Sequence, residues 1–140
     1  PDLDRDYPPG RVSVLASEAE LTQLLQRCGG RKPVVTKFYA AWCRKCLAMR
    51  PKFDRLAEGY GQRAIFTKIE VEKGGHALVR ERAGVTAIPS FVVWMGEEAV
   101  DRYVASMQPL EQITRELAGV IDRNLDGFSL VHKLSALPAE

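Results

Sequence analysis

Two cysteines, Cys43 and Cys46, are separated by two residues and lie where an apolar run gives way to a helical pattern. This C-x-x-C spacing brings both sulfurs to one turn, where they can form a small-ring disulfide or hold a metal. We expect Cys43 at a helix N-terminus, where unpaired N–H groups and the dipole stabilise a thiolate. The cations of Arg44 and Lys45 act in the same direction. The pattern favours redox chemistry, in which one thiolate attacks a disulfide and the second thiol resolves the mixed disulfide.

Two other interpretations of the cysteine pair stay open, a metal site and a scaffold without redox activity. Zinc takes four ligands, and the remaining candidates, Cys28, His76 and His132, do not lie at ligand spacing. No metal site is therefore predicted. Cys28 falls on the apolar stripe of a predicted helix, so we expect a buried structural thiol, as is common for free cysteine.

The elements that must position the cysteines follow from hydrophobic periodicity and from helix start and stop signals. In chain order the prediction is strand Val12–Leu15, a helix that opens at Ser17 and ends at Gly29, strand Val34–Tyr39, a helix over Cys46–Tyr60 kinked at Pro51, strand Ala64–Val71, helix His76–Ala83, strands Phe91–Met95 and Val100–Val104, and a helix from Pro109 to Ile121. The order β-α-β-α-β-α-β-β-α predicts an α/β fold with a central mixed sheet flanked by helices.

Composition limits the class of protein. The chain has 140 residues, of which 46% are hydrophobic and 27% charged, as expected for one globular domain. A net charge of +2 is too small for a nucleic-acid-binding surface. No apolar run approaches the ~18 residues needed to cross a membrane. Because the chain starts at Pro1 without methionine, we expect an upstream segment, with any targeting information, to have been removed.

The two ends lie outside the predicted domain of residues 12–121. Residues 1–11 contain Pro8, Pro9 and Gly10 and show no periodicity, so an extended arm is expected. Residues 122–140 carry too many apolar side chains for a free linker. We expect this C-terminal extension to dock on its own domain or on a partner protein.

Three features together resemble the thioredoxin family: the run VVTKFYAAWCRKC, Pro51 five residues after the second cysteine, and the sequence Ala87-Ile88-Pro89-Ser90. More narrowly, they resemble the plastid thioredoxin-like proteins named for their WCRKC sequence. The resemblance covers Val12 to Ile121. It implies the thioredoxin fold and a protein disulfide reductase with Cys43 as nucleophile and Cys46 as resolving thiol. By this resemblance the reaction requires no metal or organic cofactor, only the redox-active disulfide between the two cysteines.

The same resemblance implies roles for residues around the dithiol. Trp42 would cover the site, and Pro89 would follow a cis peptide bond and face the disulfide. Ile88 would offer backbone hydrogen bonds to a substrate chain. Ala105 stands where thioredoxins tend to have glycine in the substrate-docking surface, so the groove is expected to be slightly narrower.

The chain also departs from the family at positions that tune the site. Arg44 and Lys45 replace the usual Gly-Pro, which predicts a less negative redox potential. Lys37 stands where thioredoxins have a buried Asp, and Lys68 occupies the place of its buried lysine partner. Because unpaired buried charges are costly, either one lysine reaches solvent or Glu70 supplies the counter-charge. We expect slow turnover with generic disulfides.

Partners and location follow from the resemblance alone. It implies protein disulfide substrates, an electron donor such as thioredoxin reductase, glutathione or glutaredoxin, and the chloroplast stroma. The alternative is a thioredoxin-like interaction subunit of a larger plastid complex, anchored through residues 122–140 and with little redox turnover.

Overall fold

The computed structural model describes residues 2–73 and 81–125 of the chain. Within them the elements are helix α1 (Leu3–Asp6), strand β1 (Val12–Leu15), helix α2 (Glu18–Cys28), strand β2 (Val34–Tyr39), helix α3 (Arg44–Tyr60), a 3₁₀ turn (Gly61–Arg63), strands β3 (Ile65–Glu70), β4 (Ser90–Met95) and β5 (Glu98–Val104), and helix α4 (Leu110–Asp122). The bounds of β1 and β2 are those predicted from the sequence, and the other predicted strands are found within two residues at each end.

The five strands form one mixed sheet in the order β1-β3-β2-β4-β5. Strands β1, β3 and β2 are parallel, while β4 pairs antiparallel with β2 and β5 with β4. One apolar cluster contains the buried residues of α4 and those of α3 other than Cys46, and a second contains the buried residues of α2. The expected α/β fold, with a mixed sheet between helices, is confirmed. Strand β2 is the central strand of the sheet and leads into the cysteine turn.

Helix α2 begins with Ser17 as its N-cap, as predicted, and Glu20 bonds back to the residue before the cap instead of to Ser17. The Ser17 hydroxyl accepts a hydrogen bond of 3.1 Å from the Glu20 backbone N–H, and the Glu20 carboxylate accepts one of 2.8 Å from the Ala16 N–H. The helix ends at Gly29, whose φ of +59° is a left-handed conformation that favours glycine. Cys28 is buried and its thiol donates to the Lys32 carbonyl at 3.4 Å, which confirms the expected structural thiol.

The extended conformation expected for the N-terminal arm is wrong for residues 3–6, which form the single turn of α1. Leu3 and Tyr7 are four residues apart, so a helical turn brings both to one side, where they are buried with the core residues of α2. The Tyr7 hydroxyl donates to the Glu20 carboxylate at 3.3 Å. The turn of α1 is thus stabilised by the packing of Leu3 and Tyr7 against α2. Sequence periodicity does not reveal such a tertiary contact.

Some predictions fall on parts of the chain outside the described ranges. The helix over His76–Ala83 lies mostly there, as do His132 and all of the C-terminal extension after Leu125. Leu125 itself packs against the cluster formed by α3 and α4. The domain limits at residues 12 and 121 stay a prediction. Across 2–73 and 81–125, no helix has the length and apolar character needed to cross a membrane.

Candidate active site

The cysteine pair lies at the end of β2 and the start of α3. Cys43 is the N-cap of α3, and its sulfur accepts a hydrogen bond of 3.1 Å from the Cys46 backbone N–H. The two Cα atoms are 5.2 Å apart and the two sulfurs form a disulfide. Cys43 thus lies at the helix N-terminus predicted for it, where the unpaired N–H groups of the first turn favour negative charge on its sulfur.

Residues distant in sequence enclose the disulfide. Cys43 and Cys46 are only 7% and 3% exposed, and together with Ala40 they form a small apolar cluster against which Tyr39 and Ile88 pack. The structure therefore places Ile88, the residue before Pro89, against the dithiol.

The Ile88–Pro89 peptide bond is cis, as predicted. The Pro89 carbonyl accepts a hydrogen bond of 3.1 Å from the Ala105 backbone N–H, which joins this loop to the end of β5. Three of the predicted substrate-contacting residues, Ile88, Pro89 and Ala105, are thus contiguous. Their roles toward a substrate remain a prediction.

Trp42, the residue before the pair, is 67% exposed, and its indole N–H donates to the Glu72 carboxylate in the turn after β3. An exposed indole beside a reactive disulfide provides apolar area to a docking polypeptide. Met107 is 94% exposed in the loop before α4, a loop that Lys45 reaches through a hydrogen bond to the Gln108 carbonyl at 3.4 Å. Sequence reasoning did not assign Glu72, Met107 or Gln108, because nothing in their local pattern indicates proximity to the cysteines.

The two cations between the cysteines have different surroundings. Arg44 is exposed, so water screens its charge. Lys45 is half-buried and its ammonium is held by the Gln108 carbonyl. Both nevertheless belong to the first turn of α3, beside Cys43, where positive charge adds to that of the helix N-terminus.

Behind the cysteines, Lys37 and Lys68 are register partners on the parallel strands β2 and β3. Lys37 is only 3% exposed, whereas Lys68 is half-buried. The Lys37 ammonium lies 5.5 Å from the centre of the Tyr39 ring and 5.3 Å from that of Phe53, and the Lys68 ammonium lies 5.6 Å from the Tyr39 ring. Aromatic faces attract cations at this range, so the Tyr39 ring stabilises both lysines.

Burial, and next the charge of Lys68, lower the pKa of Lys37 from its ordinary 10.5 to about 8. Arg50 acts in the same direction, and Asp54 opposes it. In residues 2–73 and 81–125, no carboxylate oxygen lies within 4.0 Å of the Lys37 ammonium. Of the two expected arrangements, the structure has the first: Lys68 reaches solvent, and Glu70 forms no ion pair with either lysine.

These side chains line a pocket of about 260 Å³ next to the resolving position. Its walls come from β2, from the cysteine turn, from α3 and from β3. The lining residues are Lys37, Tyr39, Ala40, Ala41, Cys46, Leu47, Arg50 and Lys68. The pocket therefore joins the buried ammonium to the surroundings of the Cys46 sulfur.

The described part of the chain contains no group of three or more His, Cys, Asp and Glu side chains that could hold a metal ion. Of the candidate ligands considered from the sequence, Cys28 is the buried last residue of α2, and its thiol donates to the Lys32 carbonyl. His76 and His132 lie outside the described residues. The geometry near Cys43 and Cys46 instead suits a dithiol that alternates with its disulfide.

A mixed sheet between helices, with a C-x-x-C pair at the N-terminus of a helix and a cis proline loop beside it, defines a class of dithiol–disulfide proteins. The family model for thioredoxin matches residues 12–118, so the chain belongs to the thioredoxin family. The H-type thioredoxin of Chlamydomonas reinhardtii is 36% identical over 111 residues, which cover 78% of this chain and 96% of that protein.

Two further comparisons agree with this assignment. A protein of Arabidopsis thaliana named thioredoxin-like 3-2, chloroplastic, is 41% identical over 96 residues, covering 66% of this chain and 48% of that protein. The crystal structure of thioredoxin f from spinach chloroplast, in its long form, superposes with a TM-score of 0.74 at 24% identity, covering 88% of this chain and 92% of that one. The fold is therefore the thioredoxin fold, and thiol–disulfide oxidoreduction is the chemistry that the family and the Cys43–Cys46 pair support.

Proposed function

We propose that this protein reduces disulfide bonds of other proteins, with Cys43 as the attacking thiol and Cys46 as the resolving thiol. The observation that carries the proposal is the position of Cys43 as N-cap of α3, covalently paired with Cys46. A thiolate there is stabilised by the helix N-terminus and by the neighbouring cations. Cys46 is less exposed than Cys43, at 3% against 7%, so Cys43 is the sulfur that a substrate disulfide reaches first.

The proposed reaction is an exchange between the Cys43–Cys46 dithiol and one substrate disulfide, and it needs no other electron donor or acceptor in this half of the cycle. The Cys43 thiolate attacks one sulfur of the substrate, a mixed disulfide forms, and the other substrate sulfur leaves as a thiolate and takes up a proton. The Cys46 sulfur then loses its proton and attacks Cys43, which releases the second substrate thiol and leaves the Cys43–Cys46 disulfide. Two electrons pass from the dithiol to the substrate, so the proposed reaction needs no metal or organic cofactor.

A protein substrate would dock on the apolar surface around Cys43. Trp42 and Met107 are strongly exposed there, and Ile88 packs against the cysteine cluster. Ile88 would hydrogen-bond the substrate backbone. Ala105, whose N–H is already bonded to the Pro89 carbonyl, would add its methyl group to the wall of the groove.

We further assign the chain to the WCRKC type and to the chloroplast stroma. Its residues 42–46 read Trp-Cys-Arg-Lys-Cys, and its relatives include two proteins of Arabidopsis thaliana named thioredoxin-like 3-1 and 3-2, chloroplastic. The electron donor is thioredoxin reductase, glutathione or glutaredoxin. Reduction of the purified disulfide by each donor in turn, followed by thiol labelling of Cys43, distinguishes the three.

Insulin reduction tests the proposed activity. With dithiothreitol as the electron source, the wild type should precipitate insulin chains faster than dithiothreitol alone, and Cys43→Ser should abolish the acceleration. Cys28→Ala is the matched control, because it also removes a thiol but at the end of α2, in a different apolar cluster from the pair. The proposal fails if the wild type is inactive, or if Cys43→Ser retains the wild-type rate.

A Cys46→Ser variant identifies substrates. Without the resolving thiol the mixed disulfide at Cys43 persists, so proteins captured from an extract should be released by a reductant. The alternative function, an interaction subunit with little redox turnover, gains no support from the comparisons, and most of the extension it depends on lies outside the described residues. A wild type inactive toward insulin yet bound to a large partner would favour it.

A further inference from the structure

Three cations from three different elements face the pocket beside Cys46. Lys37 comes from β2, Arg50 from α3 and Lys68 from β3, and the Tyr39 ring lies among them. Lys37 is the most buried of the three, at 3% exposed, and its side chain lines the pocket. Lys68 is half-buried and Arg50 is exposed, so three cationic side chains of different exposure line one small pocket.

Nearby carboxylates do not neutralise this charge. Among residues 2–73 and 81–125, no carboxylate oxygen approaches a nitrogen of Lys37, Arg50 or Lys68 within 4.0 Å. Asp54 on α3 is exposed and acts on Lys37 from a distance, and Glu70 on β3 acts on Tyr39. A largely buried cation without a paired anion is costly, so an anion in this pocket would lower the electrostatic energy of Lys37.

We propose that this pocket binds a small oxyanion, a single carboxylate or phosphate group, between Lys37, Arg50 and Lys68. Guanidinium and ammonium groups form their strongest hydrogen bonds with such anions. The volume of about 260 Å³ is below the roughly 300–1,000 Å³ typical of sites for drug-sized ligands. One bound negative charge also offsets the repulsion between the partner residues Lys37 and Lys68.

The oxyanion has two possible sources with the same chemistry. It is either a free anion such as inorganic phosphate or the carboxylate of a small disulfide, of which oxidised glutathione is the probe. Both can be studied on the oxidised protein, in which Cys43 and Cys46 are already paired and Cys28 is buried, so no thiol exchange accompanies binding. The test is therefore independent of the proposed reductase activity.

Calorimetric titration of inorganic phosphate into the oxidised protein, at constant ionic strength, tests the site. We expect saturable binding at one site per chain, weakened about tenfold in Arg50→Gln because one charge-assisted contact is lost. Arg55→Gln is the matched control: it lies on the same helix, is exposed, changes the same charge and does not line the pocket. Its affinity should equal that of the wild type.

A second measurement follows the ionisation of the Lys37 side chain itself. Bound phosphate should raise the pKa of Lys37, followed by NMR of the lysine side chain, and should not do so in Arg50→Gln. Non-saturable binding, or equal weakening by Arg50→Gln and Arg55→Gln, would mean an adventitious ion only and would overturn the proposal. If oxidised glutathione binds more tightly than phosphate with the same dependence on Arg50, the source is a substrate carboxylate; the reverse order identifies a free anion.

Discussion

Lys37 and Lys68 face each other across the parallel strands β2 and β3, with the ring of Tyr39 5.5 Å from one ammonium and 5.6 Å from the other. A like-charge pair at partner positions destabilises a sheet. Here the aromatic ring and the access of Lys68 to solvent reduce the cost, and burial together with the remaining repulsion lowers the pKa of Lys37 to about 8. The pair keeps a positive potential beside Cys46.

Replacing the buried ammonium should stabilise the fold. At pH 7 we expect Lys37→Met to raise the free energy of unfolding by about 2 kcal/mol, because burial without a paired anion penalises the charged form. Urea unfolding of the oxidised protein, followed by tryptophan fluorescence, measures this. Lys73→Met, at an exposed position, is the control and should change stability by less than about 0.5 kcal/mol. A Lys37→Met variant less stable than wild type would contradict the assignment of an unpaired charge.

The advantage of Lys37→Met should depend on pH. The folded-state pKa of about 8 lies below the ordinary 10.5, so between these values the unfolded state binds more protons. Wild-type stability from this group therefore increases as pH rises from about 8 to 10.5 and is lost as pH falls through 8. The difference between variant and wild type should shrink across that window. A difference that stays constant from pH 7 to 10 would rule out titration of Lys37 as its cause.

The residues between the cysteines should set the redox potential. Arg44 and Lys45 favour the reduced thiolate, so we expect a wild-type potential less negative than the roughly −270 mV of thioredoxin. The double variant Arg44→Gly, Lys45→Pro should shift the potential to a more negative value, because it removes both cations from the first turn of α3. Equilibration with glutathione buffers measures both proteins. A wild-type value at or below −270 mV would refute the prediction.

A chain of buried hydroxyl groups should stabilise the sheet. The Trp94 indole N–H donates to the Thr36 hydroxyl at 3.1 Å, and the Thr67 hydroxyl donates to the Val35 carbonyl at 3.0 Å, so Thr36 donates to Thr67 across 2.9 Å. Thr36→Val leaves the buried indole N–H without an acceptor, at a cost of about 1–3 kcal/mol.

Thermal and urea unfolding of Thr36→Val should show this loss. Thr114→Val is the control for the same chemical change, because the Thr114 hydroxyl donates to the Leu110 carbonyl within its own helix at a partly exposed position. The control should lose less than about 1 kcal/mol. If both variants lost the same free energy of unfolding, the buried hydroxyl chain would add no more stability than an ordinary hydroxyl within a helix.

Asp101 attaches the end of α4 to the edge strand β5. Its carboxylate accepts two hydrogen bonds of 2.6 Å from the Arg123 guanidinium and one of 2.9 Å from the Asn124 amide. These hydrogen bonds lower the pKa of Asp101, and those from Arg123 have the largest effect. Asp101→Asn should cost about 1 kcal/mol at pH 7, since Arg123 is largely exposed and water screens the pair.

This contribution should disappear in acid. Because the folded-state pKa is below the ordinary 3.8, the contribution is complete at neutral pH and is lost as pH falls below about 4. The stability gap between wild type and Asp101→Asn, measured by urea unfolding, should therefore narrow from pH 7 to pH 3. Glu98→Gln, at an exposed position on the same strand, provides the control. If the stability difference between wild type and Asp101→Asn increased in acid, the pKa of Asp101 would be raised in the folded state and not lowered.

Local patterns were sufficient for most of the fold. Strands Val12–Leu15 and Val34–Tyr39 were predicted to the residue, because an apolar run bounded by turn or cap signals needs no distant partner to be recognised. The turn at Leu3–Asp6 was missed, because its stability comes from burying Leu3 and Tyr7 against α2. That contact is tertiary and leaves no periodic signal in a segment rich in proline.

The sequence by itself predicted the place of the cysteine pair, since the spacing of Cys43 and Cys46 and the helical pattern after them put both sulfurs at one helix N-terminus. It also identified Lys37 and Lys68 as anomalous. Only the tertiary structure decided which lysine is buried, that Tyr39 rather than Glu70 meets both ammonium groups, and that Arg50 lines the same pocket. The reason is physical: covalent spacing acts within one turn, whereas burial and charge depend on the register of β2 with β3 and on the packing of α3 over them.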